Sequence, residues 1–278
     1  KKTCLNNNLF AFYKEVKQLD LSRFDLVLND FEPVSAWAAR RQGKASISIS
    51  HQNAFRYSVP LKGASWLDKK IIHYFAPAQH HIGLHWYHFD QPILPPIVHT
   101  QKEQVAGEDF VLVYLPFESL HEIAELLLRF SKQRFVCYHP DIIEEQIVDN
   151  VHYLPLSFHG FQYHLNRCNG VIANGGFELP SEALTLGKKL LLKPLSGQFE
   201  QMSNVATLED LGLASCMDML DASIVRQWLD EEQAESVSYP DVAEAIADWL
   251  VKGDWENKME LTHRLWEKVD FPSYVTNI

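Results

Sequence analysis

Short apolar runs alternate with amphipathic stretches along most of this chain. Phe24 to Asn29 (FDLVLN) reads as a buried strand, Pro33 opens a helix that Gly43 ends, and Ala45 to Ile49 (ASISI) is a second strand. A loop at Ser50-His51-Gln52-Asn53 leads to a helix over Trp66 to Phe75 and a strand over His81 to Tyr87. Strand, loop, helix, strand is the grammar of a parallel α/β unit. The segment Gln91-Pro92-Ile93-Leu94-Pro95-Pro96 is stiffened by its prolines and reads as an extended connection between domains.

Beyond it the alternation restarts. Strands are expected at 110–115, 134–138, 151–156, 170–174 and 189–193, with helices at 120–130, about 161–167, 180–186 and 199–211. Two helices, 242–251 and 255–269, close the chain and carry tryptophans on their apolar faces. The expected domains are 1–97, 98–260 and a helical tail, 261–278, that packs back across them. Only a short polar and helical stretch precedes the first strand, so the first domain is expected to lack its opening βα unit and a segment before it.

Composition narrows the class. The chain has 278 residues, 46% hydrophobic and 12% aromatic, enough apolar material for two buried cores rather than a disordered tract. Lys and Arg number 25 against 36 Asp and Glu, a net charge of −11, which disfavours a nucleic-acid partner because such binding draws on phosphate neutralisation. Cys4, Cys137, Cys168 and Cys216 are far apart and signal neither a disulfide framework nor zinc. A reducing cytoplasmic setting is expected. No apolar run nears the roughly 20 residues that span a bilayer, and peripheral membrane contact stays open.

Candidate chemistry gathers at strand ends. In Asn174-Gly175-Gly176-Phe177-Glu178-Leu179-Pro180-Ser181-Glu182 a strand runs through two glycines into a helix, and exposed N–H groups at the positive end of a helix suit phosphate. A plain tight turn is the competing reading. The next loop, Leu195 to Gln201, opens at the same edge of the sheet, where Gln198, Glu200 and Gln201 offer partners for sugar hydroxyls. Asp30 and Glu32 after the first strand and His51 after the second are candidate bases, although Asp30 also suits capping of the helix at Pro33 and His51 a plain bond to backbone. His81 and His85 on one strand face stand about 13 Å apart, too far for one metal ion. Lys188 and Lys189 follow Gly187 without the earlier glycine or the hydroxyl of a phosphate-binding loop.

NGGF followed by SEALTLGKKLLLKP and GQFEQMSN resembles the donor-binding half of nucleotide-sugar glycosyltransferases of the GT-B fold. It is especially similar to a bacterial and archaeal family, family 28/1-like, related to the N-acetylglucosaminyltransferase of lipid II synthesis. LVLNDFEPVSAWAARRQGKASISISHQNAF resembles the matching part of that family's first domain. The similarity spans about residues 24–55 and 110–212. It implies an α/β protein of two facing Rossmann-like domains that moves a sugar from a UDP-sugar to an unknown acceptor hydroxyl, inverting and metal-independent, with no cofactor. The acceptor is a carbohydrate, lipid or small molecule.

Carried over by residue, the resemblance implies that Gly175, Gly176 and Phe177 lie by the diphosphate, that Glu182 binds ribose, and that Asn174 and Ser181 belong to the same donor-binding stretch. It sets backbone near Leu156 at the uracil edge and Gln198, Glu200 and Gln201 by the sugar, while His51, Gln52 and Asn53 face the acceptor. A nucleotide-sugar epimerase of the same fold and a non-catalytic sugar-nucleotide-binding subunit are the alternatives.

Overall fold

The computed structural model describes residues 9–98 and 107–275. They form two compact units. The first holds the described residues up to Val59, then Ala64–Pro95 and Val242–Glu267; the second holds Pro60–Gly63, Pro96–Asp241 and the residues from Lys268.

In the first unit, α1 (Leu9–Gln18) precedes β1 (Leu26–Asn29), α2 (Pro33–Gln42), β2 (Ala45–Ser50), the short α3 (His51–Ala54), α4 (Trp66–Tyr74), β3 (His80–Leu84) and β4 (Ile93–Leu94). The four strands pair in parallel in sequence order. Pro33 sits at the start of α2, and Gly43 ends it in the left-handed region at φ 64°. Val16, Leu21, Val27, Ala38 and Ala39 form a core beneath α1 and α2.

The proline-rich segment is not a bare connection, because Ile93 and Leu94 are fully buried and pair with Gly83 and Leu84. Helices α10 (Val242–Lys252) and α11 (Lys258–Trp266) also belong to this unit, whereas chain order places the first of them in the second domain. Trp266 Nε1 donates to the Ile93 carbonyl at 2.7 Å, fastening α11 to β4. The apolar faces of these helices needed a partner, and a distant part of the sequence supplies it.

In the second unit the order is β5 (Val111–Tyr114), α5 (Leu120–Leu127), β6 (Phe135–Tyr138), β7 (Gln146–Val148), β8 (Val151–Leu154), α6 (Phe158–Arg167), β9 (Gly170–Asn174), α7 (Glu178–Thr185), β10 (Lys189–Lys193), α8 (Phe199–Asp210), β11 (Ser215–Cys216) and α9 (Ala222–Asp230). The sheet order is β11-β10-β9-β5-β6-β8-β7, parallel except where the exposed β7 runs antiparallel to β8. Strands β7 and β11 and helix α9 have no counterpart in the sequence reading. The two strands are only three and two residues long, too short for a periodic signal.

Residues 111–113 are buried on both faces, as a covered parallel sheet requires. Val111, Val113, Phe135, Cys137, Val151 and Tyr153 join Ile123, Leu126, Val225 and Trp228 in one core. The alternate positions therefore face α6. Strand order reverses between β5 and β9, the place where an open α/β sheet binds ligands beyond its carboxyl edge.

Candidate functional site

A cavity of about 310 Å³ opens at that edge of the second unit, lined by Tyr114, Tyr138, Leu156, Ser157, Phe158, Phe161, Gln162, Glu178, Leu179 and Glu182. Its size falls at the lower end of ligand pockets, roughly 300–1,000 Å³. Tyr114 and Tyr138 are the last residues of β5 and β6 and are paired in register. The Phe161 ring meets both edge-on, at 5.2 and 5.3 Å between centroids. Together they make an aromatic floor for a flat apolar ligand.

Gly160 lets Tyr138 lie there, since a Cβ at that position would come within 2.8 Å of the phenol oxygen. Burial, reinforced by the Glu145 charge, pushes the Tyr138 phenol up to about 12, so it stays protonated. Its oxygen lies 2.8 Å from His164 Nδ1. Across the cavity Gln162 Nε2 donates to Glu182 Oε2 at 3.0 Å, joining α6 to α7 beside the floor. Leu156 is exposed on the rim.

The turn into α7 divides the expected donor-binding residues. Asn174 is buried, and its Nδ2 donates to the Lys193 carbonyl at 3.0 Å and toward Glu118 Oε1 at 3.4 Å. It braces the turn from beneath. Gly175 is required by packing, because a Cβ would sit 2.6 Å from Val205 Cγ2 and 2.9 Å from the Gln201 carbonyl. Asn204 Nδ2 donates to the Gly175 carbonyl at 3.1 Å.

Gly176 is different: a Cβ there would meet nothing within 4 Å. Phe177 begins α7 with helical backbone angles and no side-chain cap. Ser181 turns inward and donates from Oγ to the Phe177 carbonyl at 2.7 Å, so its hydroxyl is already engaged. Glu178 is exposed on the rim.

The loop after β10 behaves similarly. Gln201 Oε1 accepts the Leu195 N–H at 3.0 Å and closes the loop on itself, Glu200 is half-buried in the first turn of α8, and Gln198 is exposed. Helices α5, α7 and α8 follow the adjacent strands β5, β9 and β10, and each starts without a side-chain cap. Helices α6 and α9, after β8 and β11, are capped by Ser157 and Asp221. Three uncapped amino ends thus line one stretch of the carboxyl edge, with their positive dipole ends toward it.

In the first unit the candidate bases are placed otherwise. Glu32, not Asp30, caps α2, accepting the Val34 and Ser35 N–H groups at 2.6 and 2.7 Å. Burial raises its carboxyl, but hydrogen bonds from Ser35 and Val34 outweigh that and hold it below the usual range, which makes it a weak base. Asp30 is exposed at the end of β1. His51 is buried, with Nδ1 2.9 Å from the Leu84 carbonyl and its ring against Phe55 and His85.

Asn53 is fully buried and donates to the Ser48 carbonyl and hydroxyl at 3.0 and 2.8 Å. Gln52 is half-buried between them. Gly83 allows the close seat of this turn, since a Cβ would lie 2.7 Å from Ala54 Cα. His51 and Asn53, expected to face an acceptor, are buried, with His51 Nδ1 and Asn53 Nδ2 bonded within the unit.

A larger cavity, about 410 Å³, lies beside α5 and the 218–222 loop, where Glu118, Glu122, Glu125 and Asp218 outnumber Arg129 and Lys193, a lining of net negative charge that disfavours a diphosphate. Among the described residues no three His, Cys, Asp or Glu side chains are grouped to hold a metal, and no helix is long and apolar enough to cross a membrane. The sequence reading missed Tyr114, Tyr138, Phe161, Gln162, Glu118 and Lys193. Polar final residues on otherwise apolar strands at 114, 138 and 193 were the available signal.

The family model for glycosyl transferase family 1 matches residues 3–231. The fold is similar to that of the glycosyltransferase SnogD from Streptomyces nogalater, with TM-score 0.53 and 15% identity over 79% of this chain and 68% of that one. UGT89C1 from Arabidopsis thaliana, solved with UDP-L-rhamnose, gives 0.55 and 12% over 93% and 70%. The glycosyltransferase SsfS6 from Streptomyces sp. SF2575 gives 0.53 and 12% over 95% and 69%. No curated protein sequence matches the chain. The fold is that of the GT-B glycosyltransferases, and the chain belongs to glycosyl transferase family 1.

Proposed function

We propose that the chain transfers a sugar from a UDP-sugar to an acceptor hydroxyl by direct displacement, with inversion and without a metal. The observation that carries this is the cavity between α6 and α7, where an aromatic floor, a carboxylate and an uncapped helix start occur together. Tyr114, Tyr138 and Phe161 take the base, with backbone at Leu156 along its edge, and Glu182 accepts the ribose hydroxyls. The diphosphate lies over Gly176 and the start of α7, while Gln198, Glu200 and Gln201 reach toward the sugar. UGT89C1, of the same fold, was solved with a UDP-sugar, which supports the donor class.

Transfer builds positive charge on the sugar and negative charge on the departing diphosphate. Fixed N–H dipoles aimed at the leaving group stabilise that charge without reorganising, which is the service a metal would otherwise give. Attack from the opposite side inverts the anomeric carbon, and the acceptor hydroxyl gives its proton to a base. Of the candidate bases, Glu32 is the weakest, because it is engaged as a cap and its carboxyl is held below the usual range, which leaves Asp30 and His51 to be compared.

Glu182→Ala tests the donor site. Loss of the ribose hydrogen bonds should weaken UDP binding by about 1.5–3 kcal/mol, roughly 10- to 100-fold, in calorimetric titration. A folded variant that binds UDP as tightly as the parent rejects the assignment.

A further inference from the structure

We propose that Gln162 is a positioning residue that sets a preference for ribonucleotide over 2′-deoxyribonucleotide donors by fixing the carboxylate of Glu182. The proposal rests on the reading of Glu182 as the ribose group, and adds a residue on a different helix that makes that group selective. Gln162 Nε2 donates to Glu182 Oε2 at 3.0 Å, and both side chains line the same cavity.

A glutamate on a helix has three side-chain torsions, and its terminal torsion is broad. A charge-assisted hydrogen bond from the Gln162 amide restricts that torsion and biases the carboxylate plane. The backbone of Gln162 is held in turn, since its carbonyl accepts Asn166 Nδ2 at 3.0 Å within α6. A carboxylate in one orientation meets the two vicinal hydroxyls of a ribose as a pair. One that swivels can follow the single 3′-hydroxyl of a deoxyribose equally well. Selectivity for the second hydroxyl therefore depends on the partner that removes the swivel, not on the carboxylate alone.

Gln162 is not placed to do the chemistry. Its effect should fall on binding shared by ground and transition states, raising KM while leaving kcat unchanged. A mere tie between α6 and α7 would instead lower thermal stability and shift the affinities for both nucleotides together.

Calorimetric titration of the protein with UDP and with 2′-deoxy-UDP tests this, using Gln162→Ala, the volume-conserving Gln162→Met, and Glu182→Ala. The parent should favour UDP by about tenfold or more, in line with the cost of a lost hydrogen bond at a charged group. Both Gln162 variants should cut that preference to about threefold or less, with affinity for 2′-deoxy-UDP nearly unchanged. If Glu182→Ala abolishes the preference while both Gln162 variants retain it, Gln162 does not position the carboxylate and the donor reading stands. If the parent shows no preference and Glu182→Ala leaves UDP affinity intact, the ribose reading falls and this inference with it. Equal weakening toward both nucleotides in the Gln162 variants would show a structural tie only.

Discussion

Two turns in this protein look alike in sequence and differ in what they leave exposed. Each follows a buried parallel strand and carries polar residues into a helix: Ser50-His51-Gln52-Asn53 after β2, and Asn174-Gly175-Gly176-Phe177 after β9. In the first, the Ser50 hydroxyl accepts the Asn53 N–H at 3.1 Å and caps α3, the Asn53 amide binds back to Ser48, and His51 lies against the Leu84 carbonyl. In the second, Asn174 is equally buried, but no side chain caps the helix that follows. The polar side chains serve the fold in both turns. Only the second leaves a helix amino end without a side-chain cap, and it does so beside a cavity. An uncapped helix start leaves backbone N–H groups that can meet an anion, which the polar letters alone do not reveal.

This contrast implies that the second turn rests on a stiff support, and removing that support should have the largest effect. Lys193 Nζ donates to Glu118 Oε1 at 2.7 Å, with side-chain exposures of only 10% and 13%. His139 Nε2 lies 3.0 Å from the Glu118 carbonyl, so the ends of β6, β9 and β10 all meet the loop after β5. Lys193→Met leaves a buried carboxylate without its cation and should cost about 3–5 kcal/mol in urea denaturation. Adding Glu118→Leu should recover most of the loss, because the unpaired charge is gone. A loss below about 1 kcal/mol for Lys193→Met would mean that the pair is not the brace.

The two glycines sharpen the same contrast. Gly175→Ala forces a methyl against Val205 and the Gln201 carbonyl and should destabilise the protein by about 1–3 kcal/mol. Gly176→Ala meets no protein atom, so stability should stay within about 0.5 kcal/mol while UDP affinity falls roughly tenfold. Denaturation and titration of both variants separate support from display. Unaltered UDP binding in Gly176→Ala would remove the diphosphate from that turn.

Much of this was legible in the chain. The strands at 26–29, 45–50, 111–114, 170–174 and 189–193 follow from apolar runs with clear stops, and Pro33 and Gly43 bracket α2 as their backbone preferences require. The turn before Glu182 was readable as a turn because two glycines lie between an apolar strand and a helix start. What single letters do not carry is the direction of a side chain. Glu32 and Asp30 are two residues apart and equally acidic, yet Asn29 decides between them: its Oδ1 accepts the Glu32 N–H at 3.1 Å and its Nδ2 donates to the Glu32 carbonyl, setting Glu32 as the cap. The aromatic floor was hidden because Tyr114, Tyr138 and Phe161 meet only once register places β5 beside β6 and α6 over both. The attachment of α10 and α11 to the first unit depends on contacts more than 140 residues apart in sequence, which periodicity does not encode.

The smallest predicted effect concerns acid, and it arises where the first turn meets its own unit. His51 packs against His85, whose ring is wholly buried and held well below its ordinary range by burial and then by the neighbouring His51. His81, in β3 just before it, is lowered to about 4, by burial first and then by the charges of Arg56 and Lys258. Both rings are neutral in the folded protein, while the unfolded chain takes up protons as pH falls through 6.5. Their contribution is whole above pH 6.5 and falls as pH drops below it, for His81 down to about 4. Between pH 7 and pH 6 the loss from His85 is limited by protonation of the unfolded chain and should stay under about 1 kcal/mol. Urea midpoints at the two values measure it. His85→Phe, which keeps an aromatic ring among Phe55, Trp86 and Phe89, should flatten the dependence. An equally steep profile in that variant would move the acid sensitivity away from the base of the first turn.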